Sequence, residues 1–160
     1  GIESVREVAG RAQEIKEGQN FTAVVDYAHT PDSLKAIYSA YPENKICVLG
    51  NTGGGRDTWK RPEMAKIADK YCSHIILTNE DPYDEDPEEI ISEMKEAISN
   101  TTVEVIMDRR EAINRALRLA KSNDAVIITG KGTDPYIMGA NGTKTPWSDA
   151  EVVKEELKKI

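Results

Sequence analysis

Four segments of this 160-residue chain place chemistry-bearing side chains directly after an apolar run. Asp26-Tyr27-Ala28-His29-Thr30-Pro31 sets a carboxylate and an imidazole three residues apart, able to accept and donate hydrogen bonds to a ligand, with Thr30 or Asp32 left to cap a following helix. Gly53, Gly54 and Gly55 are followed by Arg56, Lys60 and Arg61, and backbone N–H groups beside local cations form an anion cradle. Gly50 and Gly55 have the spacing of a P-loop, but Arg56-Asp57 stands where Lys and Ser/Thr are required, so this is not a Walker A motif. In Asn79-Glu80-Asp81-Pro82-Tyr83-Asp84-Glu85-Asp86, Asp86 before Pro87 suffices to cap a helix, which leaves Glu80 and Asp81 to receive a cationic group. Gly130-Lys131-Gly132-Thr133-Asp134 presents backbone amides and one more carboxylate.

The elements that must position these residues follow from the apolar pattern. Phe21 to Tyr27, Lys45 to Gly50, His74 to Asn79, Val103 to Asp108 and Ala125 to Gly130 are Val- and Ile-rich and nearly continuous, as in strands covered on both faces. Helical periodicity fills the intervals at Pro31 to Tyr41, Arg61 to Tyr71, Pro87 to Ser99 and Arg109 to Lys121, and again at Asp149 to Ile160. Such alternation predicts a Rossmann-like α/β fold, a mostly parallel sheet flanked by helices. Gln13 to Lys16 and Phe21 to Tyr27 flank Glu17-Gly18-Gln19-Asn20, a hairpin that adds an antiparallel edge. Tyr136 to Pro146 is a turn-rich excursion, and Trp59 and Trp147 serve equally well as plates over a ligand or as loop anchors. In sheets of this kind ligands gather beyond the carboxyl ends of the strands, where the four segments lie.

Composition bounds the reading further. A hydrophobic share of 39% supports a core, and 28 acidic against 21 basic residues give a net charge of -7, which argues against a general grip on nucleic acid or a membrane surface. Cys47 and Cys72 lie in apolar runs without CxxC or ligand spacing and are expected to be reduced core thiols of a cytoplasmic protein. The chain is read as a single domain over residues 1–160, and Gly1 in place of Met is expected of a processed chain or of a piece cut from a longer one.

Taken in order, Gly10-Arg11, Asp26-Tyr27-Ala28-His29-Thr30-Pro31, Gly53-Gly54-Gly55-Arg56-Asp57 with Lys60-Arg61-Pro62, Asp81-Pro82 with Glu85-Asp86-Pro87, and Gly130-Lys131-Gly132 resemble the C-terminal domain of the Mur ligases. Among them the similarity is to those that add the third amino acid of the peptidoglycan stem peptide. The resemblance implies an ATP-dependent amide ligase of cell-wall synthesis, with ATP and Mg²⁺ held mainly by a central domain and the UDP-N-acetylmuramoyl-dipeptide by an N-terminal one, both outside these residues. It implies that Arg11, Asp26 and His29 line the nucleotide side of the cleft. Arg56, Glu80, Asp81, Pro82, Tyr83, Gly130 and Asp134 are implied to bind the free amino acid. No catalytic or metal-binding residue is expected in this domain alone, and the rest of its own ligase chain is its expected partner.

The chain departs from that family where substrate choice is set. Members that take meso-diaminopimelate carry Asp-Asn-Pro-Arg, whose arginine pairs with the second carboxylate, whereas this chain reads Glu80-Asp81-Pro82-Tyr83. A site that loses a cation and gains an anion is expected to prefer a basic amino acid, L-lysine or L-ornithine, unless Arg109 or Arg110 replaces the missing cation. Asp134 stands where the family usually has glutamate. The competing readings are a related amide ligase of cyanophycin or polyglutamate type, and a stand-alone Rossmann-like binding module.

Overall fold

The computed structural model describes residues 11–55 and 57–160. Eight strands and five helices follow in the order β1 (Gln13–Ile15), β2 (Thr22–Asp26), α1 (Pro31–Ala40), β3 (Lys45–Leu49), α2 (Lys60–Tyr71), β4 (His74–Leu77), α3 (Pro87–Glu96), β5 (Thr102–Val105), α4 (Arg109–Leu119), β6 (Ala125–Thr129), β7 (Tyr136–Met138), β8 (Lys144–Pro146) and α5 (Asp149–Leu157). The main sheet has the order β1-β2-β6-β3-β4-β5, with β1 antiparallel to β2 and all other pairs parallel. The expected antiparallel edge and parallel sheet are both present.

Period-2 alternation divides the strand side chains between two cores. Val24, Cys47, Leu49, Ile75, Leu77 and Ile127 face α1, α2 and α3 through Leu34, Tyr38, Met64, Ala68, Ile91 and Met94. Their neighbours Val25, Val48, Ile76, Val126 and Ile128 face α4 and α5 through Ala112, Ile113, Leu117, Val152 and Val153. Helix starts are set by side-chain caps: Thr30 accepts from the Ser33 N–H, Asp86 from Glu88, Asp108 from Glu111 and Ser148 from Glu151. Several helices stop short of the predicted ends, as at Glu96 rather than Ser99.

Two expectations change. Cys47 and Cys72 are joined as a disulfide, with Cα atoms 6.2 Å apart, and are not free thiols. Their separation of 25 residues is one strand–helix crossover, which returns the chain from the end of α2 to the side of β3. No local motif marks such a pair. The excursion after β6 is also an ordered hairpin, β7–β8, that closes through Asn141 and Gly142 in left-handed conformations. Among the described residues no helix is long and apolar enough to cross a membrane.

Candidate functional site

Strand register brings the chemistry-bearing segments to one level. Asp26 pairs with Thr129, Val48 with Ile128 and Leu49 with Leu77, so Tyr27, Gly130, Gly50 and Thr78 all leave the sheet together. β6 lies between β2 and β3, whose helices cover one face, while the chain after β6 passes to α5 on the other. This change of side opens a crevice at the carboxyl end of β6. It holds a cavity of about 740 Å³ walled by Tyr27, Gly54, Lys60, Asp81, Tyr83 and Asp134. A smaller cleft of about 250 Å³ contains Arg11, Asp26 and Ser33, and the two meet along Tyr27 and His29.

The residues expected on the nucleotide side are thus brought together. Asp26 accepts from the N–H of Ala12 at 2.6 Å and of Ala28 at 2.8 Å, which ties the edge strand to the turn after β2. His29 Nδ1 lies 3.1 Å from the Tyr27 carbonyl. A carbonyl only accepts, so Nδ1 is the donor in this contact. The His29 ring lies against Tyr27 at a centroid distance of 4.6 Å, and Lys60 Nζ donates to the His29 carbonyl at 3.4 Å. Burial, joined by the Asp134, Glu80 and Asp81 carboxylates, pushes the Tyr27 hydroxyl above its ordinary pKa, a sign of the acidic field here.

The residues expected to hold an amino acid separate into wall and floor. Asp81, Tyr83 and Asp134 line the cavity. Glu80 lies beneath it, 4% exposed, accepting from Thr52 Oγ1 at 2.9 Å and packed against Gly130 so closely that a Cβ there would collide with its carboxylate. Burial raises the Glu80 pKa against the opposing pull of Arg109 and Thr52. Pro82 is buried with its carbonyl against Gly53. Gly130 has φ +108°, a conformation open to glycine. Arg56 lies outside the described residues.

Asp81 does not act as a free anion. Lys131, 1% exposed, donates to both of its oxygens at 2.8 and 2.9 Å, and the Met138 N–H adds a third bond at 2.8 Å. Lys131 Nζ also stands 3.5 Å from Asp134. The glycine loop is likewise engaged by its own chain rather than open to an anion: Gly53 N–H donates to the Asp81 carbonyl at 2.7 Å and Gly55 N–H to Glu85 Oε1 at 3.0 Å. Arg61 is buried and bonded to Glu85 at 2.7 and 2.8 Å and to Glu93 at 2.5 Å. Of the cations expected at this loop, Lys60 faces the cavity among the described residues.

Neither candidate replacement cation reaches the cavity. Arg109 is buried, bonded to both Asp149 oxygens at 2.9 and 2.8 Å and to the carbonyls of Asn79 and Thr129 at 3.0 and 2.9 Å. Arg110 is bonded to Glu155 and Glu156. Arg109 braces the strand ends just before Glu80 and Gly130, a role that the sequence reading missed although a signal was present. It occupies the apolar stripe shared by Ala112, Ile113 and Ala116, where a charge must be buried and paired. Trp147 is a loop anchor, donating through Nε1 to Asp149 at 2.7 Å. With Asp57, Asp84 and Asp134 against Lys60, the described residues of the cavity wall carry an acidic excess suited to a ligand with ammonium groups.

Comparison with known proteins agrees with this geometry. The family described as "Mur ligase, glutamate ligase domain" matches residues 10–132. A UDP-N-acetylmuramoyl-L-alanyl-D-glutamate–2,6-diaminopimelate ligase of Bacillus cereus is 41% identical over 161 residues, covering 98% of this chain and 32% of that protein. The enzyme of the same name from Aquifex aeolicus is 43% identical, over 90% of this chain and 30% of its own length. This chain therefore spans about a third of the curated relatives it matches. A solved structure of such a ligase superposes with a TM-score of 0.85 at 35% identity, covering 95% of this chain and 32% of that one. A pseudomurein peptide ligase type C from Methanothermus fervidus shares the fold, with a TM-score of 0.62 at 19% identity over 95% of this chain and 29% of its own. By family match, identity and fold together, the chain belongs to the Mur ligase family.

Proposed function

We propose that this chain is the amino-acid-binding domain of an ATP-dependent amide ligase that adds the third residue to UDP-N-acetylmuramoyl-L-alanyl-D-glutamate. One observation carries the reading: an acidic cavity at the carboxyl end of β6 meets, along Tyr27 and His29, a second cleft built from Arg11 and Asp26. In the proposed reaction the acceptor's glutamate carboxylate takes the terminal phosphoryl group of ATP, releasing ADP. The amine of the incoming residue then attacks the acyl carbon, forming the C–N bond as the C–O bond to phosphate breaks and the amine loses a proton. This chain's part is to hold the amine in line, a positioning contribution that can be large. Arg56 is assigned to the α-carboxylate, with Asp134 and Tyr83 beside the rest of the amino acid.

Arg11, Asp26 and His29 fit an edge of the nucleotide, since Arg11 and His29 are exposed and Asp26 retains acceptor capacity beyond its two backbone bonds. Mg²⁺, with the ATP phosphates, is assigned to the rest of the ligase chain. The acceptor, whose recognition needs surfaces beyond this domain, is assigned there too. No nucleic-acid or membrane partner is proposed, and ATP with a UDP-linked acceptor places the reaction in the cytoplasm.

For the added residue we adopt 2,6-diaminopimelate, the substrate in the relatives' names. Two ammonium groups suit the acidic cavity. The expectation of lysine or ornithine loses one support, because Lys131 neutralises Asp81, and it now rests on Tyr83, which offers a second carboxylate no bidentate partner. Competition among the three amino acids on the full-length enzyme tests the choice: preferential incorporation of diaminopimelate is expected, and a preference for lysine or ornithine overturns it. The 160-residue chain by itself is expected to release no ADP in response to any of them.

A further inference from the structure

Three non-glycine or paired left-handed turns sit in the two loops that wall the cavity. Gly54 and Gly55 have φ +87° and +74°, Asp57 has φ +52°, and across from them Tyr83 has φ +53°. Gly54, Asp57 and Tyr83 all line the cavity. Left-handed conformations at Asp57 and Tyr83 are costly for residues with a Cβ and persist only where surrounding contacts over-determine them. Tyr83 N–H donates to the Met138 carbonyl and the Asp57 carbonyl accepts from Lys60, while the two loops meet through the Gly53–Asp81 backbone bond and through one side-chain pair. Glu85, at the end of the acidic loop, accepts from Gly55 N–H in the glycine loop at 3.0 Å and forms a two-pronged pair with Arg61 at 2.7 and 2.8 Å. Arg61 in turn donates to the Thr52 carbonyl at 3.4 Å, at the start of the glycine loop, and is 1% exposed.

The pair therefore touches both ends of one loop and the far end of the other. The chain's own carboxylate fills the amide nest that an anion would otherwise occupy. A nest filled from within does not recruit ligand. It fixes the distance between the loops.

We propose that Glu85 and Arg61 are positioning residues for the amino-acid cavity, an ion pair that locks the glycine loop to the acidic loop and thereby sets the wall made by Gly54, Asp57 and Tyr83. This deepens the reading above and rests on it for the identity of the ligand. Neither residue touches the incoming amino acid, and neither belongs to the cleft assigned to the nucleotide, so releasing the lock affects one substrate and not the other.

The test uses the full-length ligase with Glu85→Ala and Glu85→Gln, and with Glu85→Asp, which keeps the charge on a shorter arm. Glu85→Ala is expected to raise the amino-acid KM by about tenfold or more while the ATP KM stays within about twofold, with Glu85→Asp in between. Hydrogen exchange of the backbone amides in 53–57 and 81–84 should accelerate together, with β3, β4 and β6 unchanged. Glu85→Gln, which keeps the side chain's shape, gives the same comparison if the alanine variant does not fold. An unchanged amino-acid KM, or equal rises in both KM values with exchange quickened through the whole sheet, overturns the proposal. A parent inactive with every amino acid removes the ligase reading instead. The exchange comparison then decides the lock by itself: coupled loops uphold it and independent loops overturn it.

Discussion

Lys131 Nζ lies 2.8 and 2.9 Å from the two oxygens of Asp81, in the wall of the cavity, and the pair neutralises one of the carboxylates there. Asp81 follows β4 and Lys131 follows β6, so the neutralising charge comes from a strand not adjacent in the sheet. Lys131→Met is expected to leave Asp81 uncompensated and to raise the ratio of kcat/KM for L-lysine over diaminopimelate by about tenfold. Breaking a buried pair also lowers stability by about 3–5 kcal/mol, to be read in a denaturant titration of the same variant. A ratio that stays put in a folded variant would show that the pair does not influence substrate choice.

Gly130→Ala should be among the most damaging small substitutions in the chain. The residue sits at φ +108°, and an added Cβ meets the Glu80 carboxylate, itself held by Thr52. Strain and overpacking together are expected to cost about 2 kcal/mol or more, measured as a lowered denaturation midpoint. A midpoint equal to that of the parent would mean that Glu80 moves aside freely.

Acid should unfold the protein partly through Glu85 and Asp69. Hydrogen bonding to Arg61 holds the Glu85 carboxyl below its ordinary value of 4.5. At Asp69 burial acts upward, but bonds from the Ser99, Thr101 and Asn100 groups outweigh it and leave the pKa below 3.8. Groups lowered on folding contribute stability that is complete above their unfolded values and lost as pH falls through the folded ones. Thermal midpoints should therefore fall below about pH 4.5, and less steeply in Asp69→Asn. Glu80 acts in the opposite sense: burial raises its pKa, so its ionisation weighs against folding as pH rises through 4.5. Glu80→Gln should accordingly gain stability relative to the parent at pH 7 compared with pH 3.5. A constant difference across that range would show that folding does not shift the Glu80 pKa.

The Cys47–Cys72 bridge closes one crossover of 25 residues. Chain-entropy arguments give such a loop about 3.5 kcal/mol of stabilisation. Replacing both cysteines with alanine, or adding reductant, should lower the thermal midpoint by roughly 7–14 °C for a chain of this size. Equal midpoints with and without reductant would show that the thiols are not joined in solution.

Order of elements as far as β6, sheet type and the level of the site could be read from the chain alone, because they depend on local pattern. The Val/Ile runs, the caps at Thr30 and Asp86, and the residues just after β2, β3, β4 and β6 carry their own signals. What each polar side chain does there could not be read in that way. Asp81 and Lys131 are 50 residues apart, Arg61 and Glu85 are 24, and Arg109 and Asp149 are 40. Sequence shows charge at these positions, but whether a charge faces the cavity or is neutralised beneath it depends on which strand ends the fold sets side by side. The same holds for Gly53 to Gly55, whose composition signals free backbone amides while their partners, Asp81 and Glu85, arrive from the next loop. A buried charge must find a partner, and only the tertiary structure chooses which one.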